Sequence, residues 1–400
     1  MTETFNFPST LKKSSFALIG IGVLGLILGF VVYSGHTNRV WANILLNAYY
    51  FNGIALSAIF FLAAHQLGYS GWHTAFRRVP EAIGTFVPVT SLFLLLVMVG
   101  TLLHSHHLYH WADASLTDPN SSNYDPVIDS KKWYLNIPFW TFRIVAYVAL
   151  WSFFSVFLRK LSVKEDQIGG LTNYNKLKYF SAFFIVVFAV SSSTGSWDLV
   201  MSIDSHWYST LFGWYNFSSY NVAGVSTIAL IVIYLKSQGY LSKVNDSHIH
   251  DLGKYMFGFS VFWTYLYFAQ FLLIWYANIP EETAYFAARW ENGWFKFLFF
   301  LNFIVNFALP FLVLMKRKSK RNVNTITFVA IMILIGHFFD FYLMIMPGSV
   351  GAEAGFGWLE IMVALGFIGA FILVVFSALT KASLTPINNP YLKESLQHHT

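Results

Sequence analysis

"KYFSAFFIVVFAVSSSTGSWDLVMSIDSHWYS", residues 178–209, runs from a cationic start through hydrocarbon into small and polar residues. The segment 178–201 is long enough to cross a bilayer, which takes about 20 residues. Its middle, Phe183 to Val190, is apolar throughout, and Asp198 lies in its last third. A charge on a spanning helix costs roughly 2.5–3.5 kcal/mol at the bilayer centre on insertion scales. The segment therefore reads as a membrane helix whose acid needs a partner or water. Ser191, Thr194, Gly195, Asp198 and Ser202 recur at helical spacing. They predict one small, polar stripe turned toward other helices rather than lipid.

The rest of the chain repeats this grammar. Of its 400 residues 56% are hydrophobic and 11% charged, against roughly 25% charged in soluble domains. Spanning segments are predicted near 15–34, 41–65, 82–107, 137–158, 178–201, 208–235, 253–277, 294–315, 323–346 and 357–380. The fold class is thus all-α: a polytopic integral membrane protein of about ten helices, with tails 1–14 and 381–400 around a domain 15–380. Lys12 and Lys13 precede the first segment, but its core is too long for a signal peptide and no small-residue cleavage site follows. Two successive four-helix groups, segments 2–5 and 6–9, fit the loop pattern.

Charge tests the count. Nineteen of the 25 Lys and Arg fall in the tails and alternate connections, while Arg39, Lys131, Lys132 and Arg289 fall on the other side. Arg143 and Lys296 lie within helices. This is the positive-inside bias, so both termini are expected in the cytoplasm. The net charge of +6 then marks cytoplasmic loops, with lipid contact as a secondary role, and gives no reason to expect nucleic acid. The outward loops are acidic: Asp113, Asp118, Asp125 and Asp129 in one, Glu281, Glu282 and Glu291 in another. Trp and Tyr flank both, as an interfacial belt should.

With that topology, ionisable groups concentrate in the outer half. His104, His106 and His107 end the third segment, Arg143 begins the fourth, and Asp198 ends the fifth. Asp204 and His206 sit in the next turn, Gln270 in the outer third of the seventh. His337 and Asp340 are i, i+3 neighbours on the ninth, positioned to hydrogen-bond; Glu360 starts the tenth. The inner half offers chiefly His65. Plainer roles exist for each: Arg143–Asp198 as a structural ion pair, the histidines as interfacial residues, Glu360 and Asp204 as helix caps.

Without cysteine the chain cannot itself hold an Fe–S cluster or a CxxCH-attached haem. A bis-histidine haem would need His104 or His107 opposite His337, at mismatched depths, and a metal site on His104 and His107 is weakly supported. No nucleotide-binding or zinc-protease motif is present. Quinol handling and proton transfer remain, since membrane-embedded Asp and His suit proton acceptance.

"GSWDLVMSIDSHWYSTLFGWYNFSS" (195–219), "HDLGKYMFGFSVFWTYLYFAQFLLIWYANIPEET" (250–283) and "HHLYHW" (106–111) resemble a quinone-binding-type membrane subunit, the second of alternative complex III. That complex is a bacterial quinol:cytochrome c oxidoreductase, and the subunit belongs to the NrfD-like, polysulfide-reductase membrane superfamily. "YLNIPFWTFRIVAYVALW" (134–151) and "FGWLEIMVALGFIGAFILVV" (356–375) fit as well. The resemblance implies an NrfD-like fold of ten helices with two four-helix bundles. It implies as partners a sister NrfD-like subunit, an Fe–S subunit, and multihaem and monohaem cytochromes c. Quinol, or a quinone such as menaquinone or ubiquinone, is the implied small molecule. The candidate site residues it carries over are His107, Arg143, Asp198, Asp204, His206, Gln270, Glu281, His337, Asp340 and Glu360; His104 joins Gln270 as a weaker quinone contact. Three functions follow as expectations: a proton-exit route, a direct quinol site, or a scaffold that docks cytochromes.

Overall fold

The computed structural model describes residues 3–351 and 355–399. Among these residues ten helices are long and apolar enough to cross a membrane, so the chain is an all-α, multi-pass membrane protein. In chain order they are α1 (Ser9–Val32), α2 (Asn38–Leu67), α3 (Arg78–Leu102), α4 (Ile137–Ile168), α5 (Thr172–Ile203), α6 (Leu211–Ser237), α7 (Asp246–Ala277), α8 (Gly293–Leu314), α9 (Val323–Val350) and α10 (Trp358–Leu379). All ten expected segments are present.

Their ends follow local chemistry. Asn136, Asn245 and Asn322 cap α4, α7 and α9 by accepting first-turn amides. Pro347 lies inside α9, and two other interior prolines coincide with irregular turns. Pro88 cannot donate to the Gly84 carbonyl, and α3 breaks at Thr85–Phe86 before resuming at Val87. Pro310 follows a π-helical turn, Ile304–Ala308, in α8. Apolar length underestimates α4, expected to end at 158. Its last turns, through Lys164, Glu165 and Asp166, stay helical but are amphipathic.

Helices α2 to α5 pack as a closed ring, and α6 to α9 as a second. Helices α2 and α6 lie between the rings and are buried along most of their length. Their close approach depends on Gly224, where a Cβ would crowd the Ser57 side chain. Helices α1 and α10 form a pair packed on α2. There Gly22 faces Gly366 so closely that a Cβ on either would overlap the other's backbone, a small-residue contact typical of membrane helices.

Ten spans return the chain to its starting side, and the segments before α1 and after α10 meet there: the Leu384 amide donates to the Glu3 carbonyl at 2.8 Å. This side is the terminal face, the opposite one the far face. The segment after α10, expected as a tail, is a strap across the terminal face. The Ile387 amide donates to Asp166, Glu394 accepts from the Gly71 amide, and His398 pairs with Asp251 at 2.7 Å. Ser395 accepts from the Ala75 amide and donates to the Trp72 carbonyl.

Candidate functional site

Among the described residues four acids are buried or nearly so toward the far face, and three hold an arginine. Asp198 ends α5, wholly buried. Arg143 of α4 grips both its oxygens, Nε at 2.7 Å and Nη2 at 2.8 Å, and the Tyr147 hydroxyl adds a third bond at 3.0 Å. The guanidinium lies over the rings of Tyr134 and Phe139. Trp140 donates to the Asp198 carbonyl. The polar stripe does face other helices: Ser191, Gly195 and Ser202 are buried and Thr194 half-buried.

Glu360 is both cap and ion-pair partner. It accepts the Gly357 amide at 2.8 Å, as a first-turn acid should, and also Arg39 bidentately at 2.9 and 3.0 Å and Asn43 at 3.0 Å. Asp204 does not pair with His206. It takes Arg289 at 3.0 Å, from the helix Pro280–Glu291 inside the expected 278–293 loop. Arg289 also donates to the Leu343 and Met344 carbonyls at the end of α9. His206 pairs instead with Asp125 at 2.6 Å, both in surface loops. The Asp125 carboxyl is held below its ordinary pKa: partial burial opposes this but is outweighed by hydrogen bonds from His206 and two backbone amides.

Asp340 differs. It is wholly buried on α9, and its bonded partners are neutral: the hydroxyls of Tyr215 and Ser219, the latter at 2.8 Å, and the Trp263 indole at 2.9 Å. His337 does not hydrogen-bond it as its spacing suggested. The His337 Nδ1 is 3.5 Å away, and neither ring nitrogen has a hydrogen-bond partner. One turn of helix brings the residues together, but the three donors from α6 and α7 occupy the carboxylate first. Gln270 of α7 is buried with its Nε2 unpartnered. It lines a void of about 20 Å³, room for about one water, together with Tyr215, Tyr267, Tyr285 and Arg289.

The histidines after α3 separate. The helix ends at Leu102, not 107, and His104 takes a left-handed conformation (φ 51°) beyond it. His104 and His107 are exposed, as is Glu281. His106 folds back: its Nε2 donates to the Val97 carbonyl at 3.1 Å while Nδ1 accepts the Leu108 amide. That is a neutral imidazole, and burial lowers its pKa to about 4. No group of three or more His, Cys, Asp or Glu suited to a metal occurs among the described residues.

A cavity of about 370 Å³ opens at the far face beside the Arg143–Asp198 pair, lined by Lys131, Tyr134, Trp197, Ser202, Trp207 and Tyr208 among others. The Tyr134 hydroxyl and both indole nitrogens have no partner.

The expectation that the terminal half is poor in ionisable groups is overturned. Arg77 and Arg78, counted as loop cations, are buried and clamp Glu81. Arg78 also bonds Asp166 and Ser162 of α4. Glu165, 2% exposed, takes the Asn389 amide of the strap. A signal was available: Arg77 and Arg78 stand four and three residues before Glu81, the spacing of helical ion pairs. The partners on α4 and the strap had no such local cue. The sequence matches no family model and no curated protein.

Proposed function

We propose that the chain is a membrane subunit of a quinol:electron-acceptor oxidoreductase of the alternative complex III kind, in the electron-transport chain of a bacterial inner membrane. Both termini face the cytoplasm in this reading, which rests on the sequence resemblance and the basic bias of the terminal-face segments. The subunit carries no redox centre of its own; it moves protons in the outer half of the second bundle, while Fe–S and cytochrome partners take the electrons.

The observation that carries the proton role is the environment of Asp340. A buried carboxylate held by neutral hydroxyl and indole donors can gain and lose a proton without breaking an ion pair. The Tyr215 hydroxyl joins it to the void lined by Gln270 and Arg289, and Arg289 touches Asp204, which is 19% exposed. That sequence of groups leads from the membrane interior to the far face. Asp340→Asn in the assembled complex should keep assembly and lower proton-coupled quinol turnover at least tenfold, with Asp340→Glu retaining part. Full turnover and full proton release in Asp340→Asn would reject the role.

A second reading, a quinol site in the far-face cavity, is favoured by its three unpartnered aromatic donors. Tyr134→Phe should then raise the KM for quinol several-fold with little change in kcat. The scaffold reading draws on the two closed pairs outside the Asp340 route, Arg143–Asp198 and Arg39–Glu360.

A further inference from the structure

The far-face cavity contains a cation that neither the Asp340 route nor the quinol reading uses. Lys131, at the end of the short helix Pro126–Lys131, lines it. Its Nζ donates to the Ser205 carbonyl at 2.7 Å and lies 5.3 Å from the centre of the Tyr208 ring. Two of its three protons remain. Among the described residues no carboxylate pairs with it: Asp125 is taken by His206 and two backbone amides. Partial burial holds the ammonium below the ordinary lysine pKa, a shift that a bound anion would oppose. Its neighbour Lys132 is the contrast, exposed and paired with Asp129 at 2.7 Å.

Two further groups in the lining can only donate. Trp197 and Trp207 each present an indole Nε1 without a partner. Trp207 is 4% exposed and stacks on Tyr285, ring centroids 3.9 Å apart, which fixes its indole. A quinol must give up protons on oxidation, and among the described residues no histidine or carboxylate lines the cavity to take them. A cation with fixed donors answers instead to an anion rich in acceptor oxygens. The cavity also has an apolar exit. Val190, Val186 and Phe183 continue the face of α5 that carries Trp197, at steps of seven, four and three residues, and all three are exposed. From Trp197 to Phe183 is about 21 Å of helix, longer than one leaflet of a hydrocarbon core about 30 Å thick. Trp133 and Tyr208, both exposed, stand at the mouth as interfacial residues do.

We propose that the far-face cavity binds the phosphodiester headgroup of an anionic phospholipid, with one acyl chain lying along the exposed stripe of α5. Lys131 and the two indoles hold the phosphate oxygens. A zwitterionic headgroup brings an ammonium that meets Lys131 rather than an acid. A free phosphate leaves the stripe unused. The assignment does not rest on the proton role of Asp340.

The test uses the full-length protein as isolated from the membrane, with its copurifying subunits, in phosphatidylcholine nanodiscs. A phosphatidylglycerol carrying a photoactivatable diazirine near the head end of one acyl chain is crosslinked and mapped by mass spectrometry. Saturable labelling of residues 190–202 is expected. Unlabelled phosphatidylglycerol should displace it about tenfold better than phosphatidylethanolamine, and inorganic phosphate and decylubiquinol should not displace it. Lys131→Gln should weaken labelling about tenfold, while Lys131→Arg keeps it. Trp207→Phe, which retains the ring on Tyr285 and removes the donor, should weaken it about threefold. Lys132→Gln removes an equal charge from the same loop and should leave labelling unchanged. The proposal is overturned by absent or unsaturable labelling of this segment, by equal displacement with phosphatidylethanolamine, by displacement with inorganic phosphate or decylubiquinol, or by Lys131→Gln behaving as Lys132→Gln does.

Discussion

Asp198 and Asp340 are the same residue, both wholly buried on spanning helices, and the molecule treats them oppositely. Asp198 is closed by a bidentate arginine, a tyrosine and flanking rings. Asp340 is held by hydroxyl and indole groups, with an unbonded histidine beside it. A charge neutralised by an adjacent charge is fixed; one solvated by dipoles can be exchanged. Burial, which the two share, therefore says little about role, and the partner's charge says more.

The sharpest way to break this comparison is to neutralise each acid. Asp198→Asn strands the Arg143 guanidinium in a buried site, and losing one partner of such a pair costs about 3–5 kcal/mol. We expect a large drop in thermal stability and yield in detergent. Adding Arg143→Gln should recover most of it. Asp340→Asn leaves no orphan charge but turns hydrogen bonds to a carboxylate, worth about 1.5–3 kcal/mol each, into neutral ones of about 0.5–1.5 kcal/mol, so its melting curve should fall less than that of Asp198→Asn. Reversed stabilities would overturn the distinction.

A smaller effect concerns a third buried ionisable group, His106, kept neutral by burial. Its folded pKa of about 4 lies below the ordinary ~6.5. Below 6.5 the unfolded segment binds more protons, so the stabilisation is complete above that pH and falls away between 6.5 and about 4. Hydrogen exchange of residues 97–108 should quicken over this window, and His106→Gln should flatten the profile. The smallest effect belongs to the exposed His206–Asp125 pair. His206→Ala should shift stability by under ~1 kcal/mol, measured by thermal denaturation at neutral pH.

The ten helices were legible because apolar length is a local property of the chain. Arg143 with Asp198 was legible too, since consecutive antiparallel helices must place both near one face. What escaped notice depends on distant segments. The bond between Arg39 and Glu360 joins the second helix to the tenth. The expected His337–Asp340 bond failed because Tyr215, Ser219 and Trp263, from other helices, took the carboxylate. Arg77 and Arg78 read as loop cations because hydropathy marks only where apolar sequence stops. It does not show that α4 and the strap return to cover the ends.

That strap gives the molecule a direction in time. Residues 387–398 supply partners to Gly71, Ala75, Asp166 and Asp251, so groups made early in synthesis wait for ones made between 147 and 323 residues later. An affinity tag fused behind Thr400 follows directly on a His398 already engaged with Asp251, whereas a tag on an outward loop would leave the closing step alone.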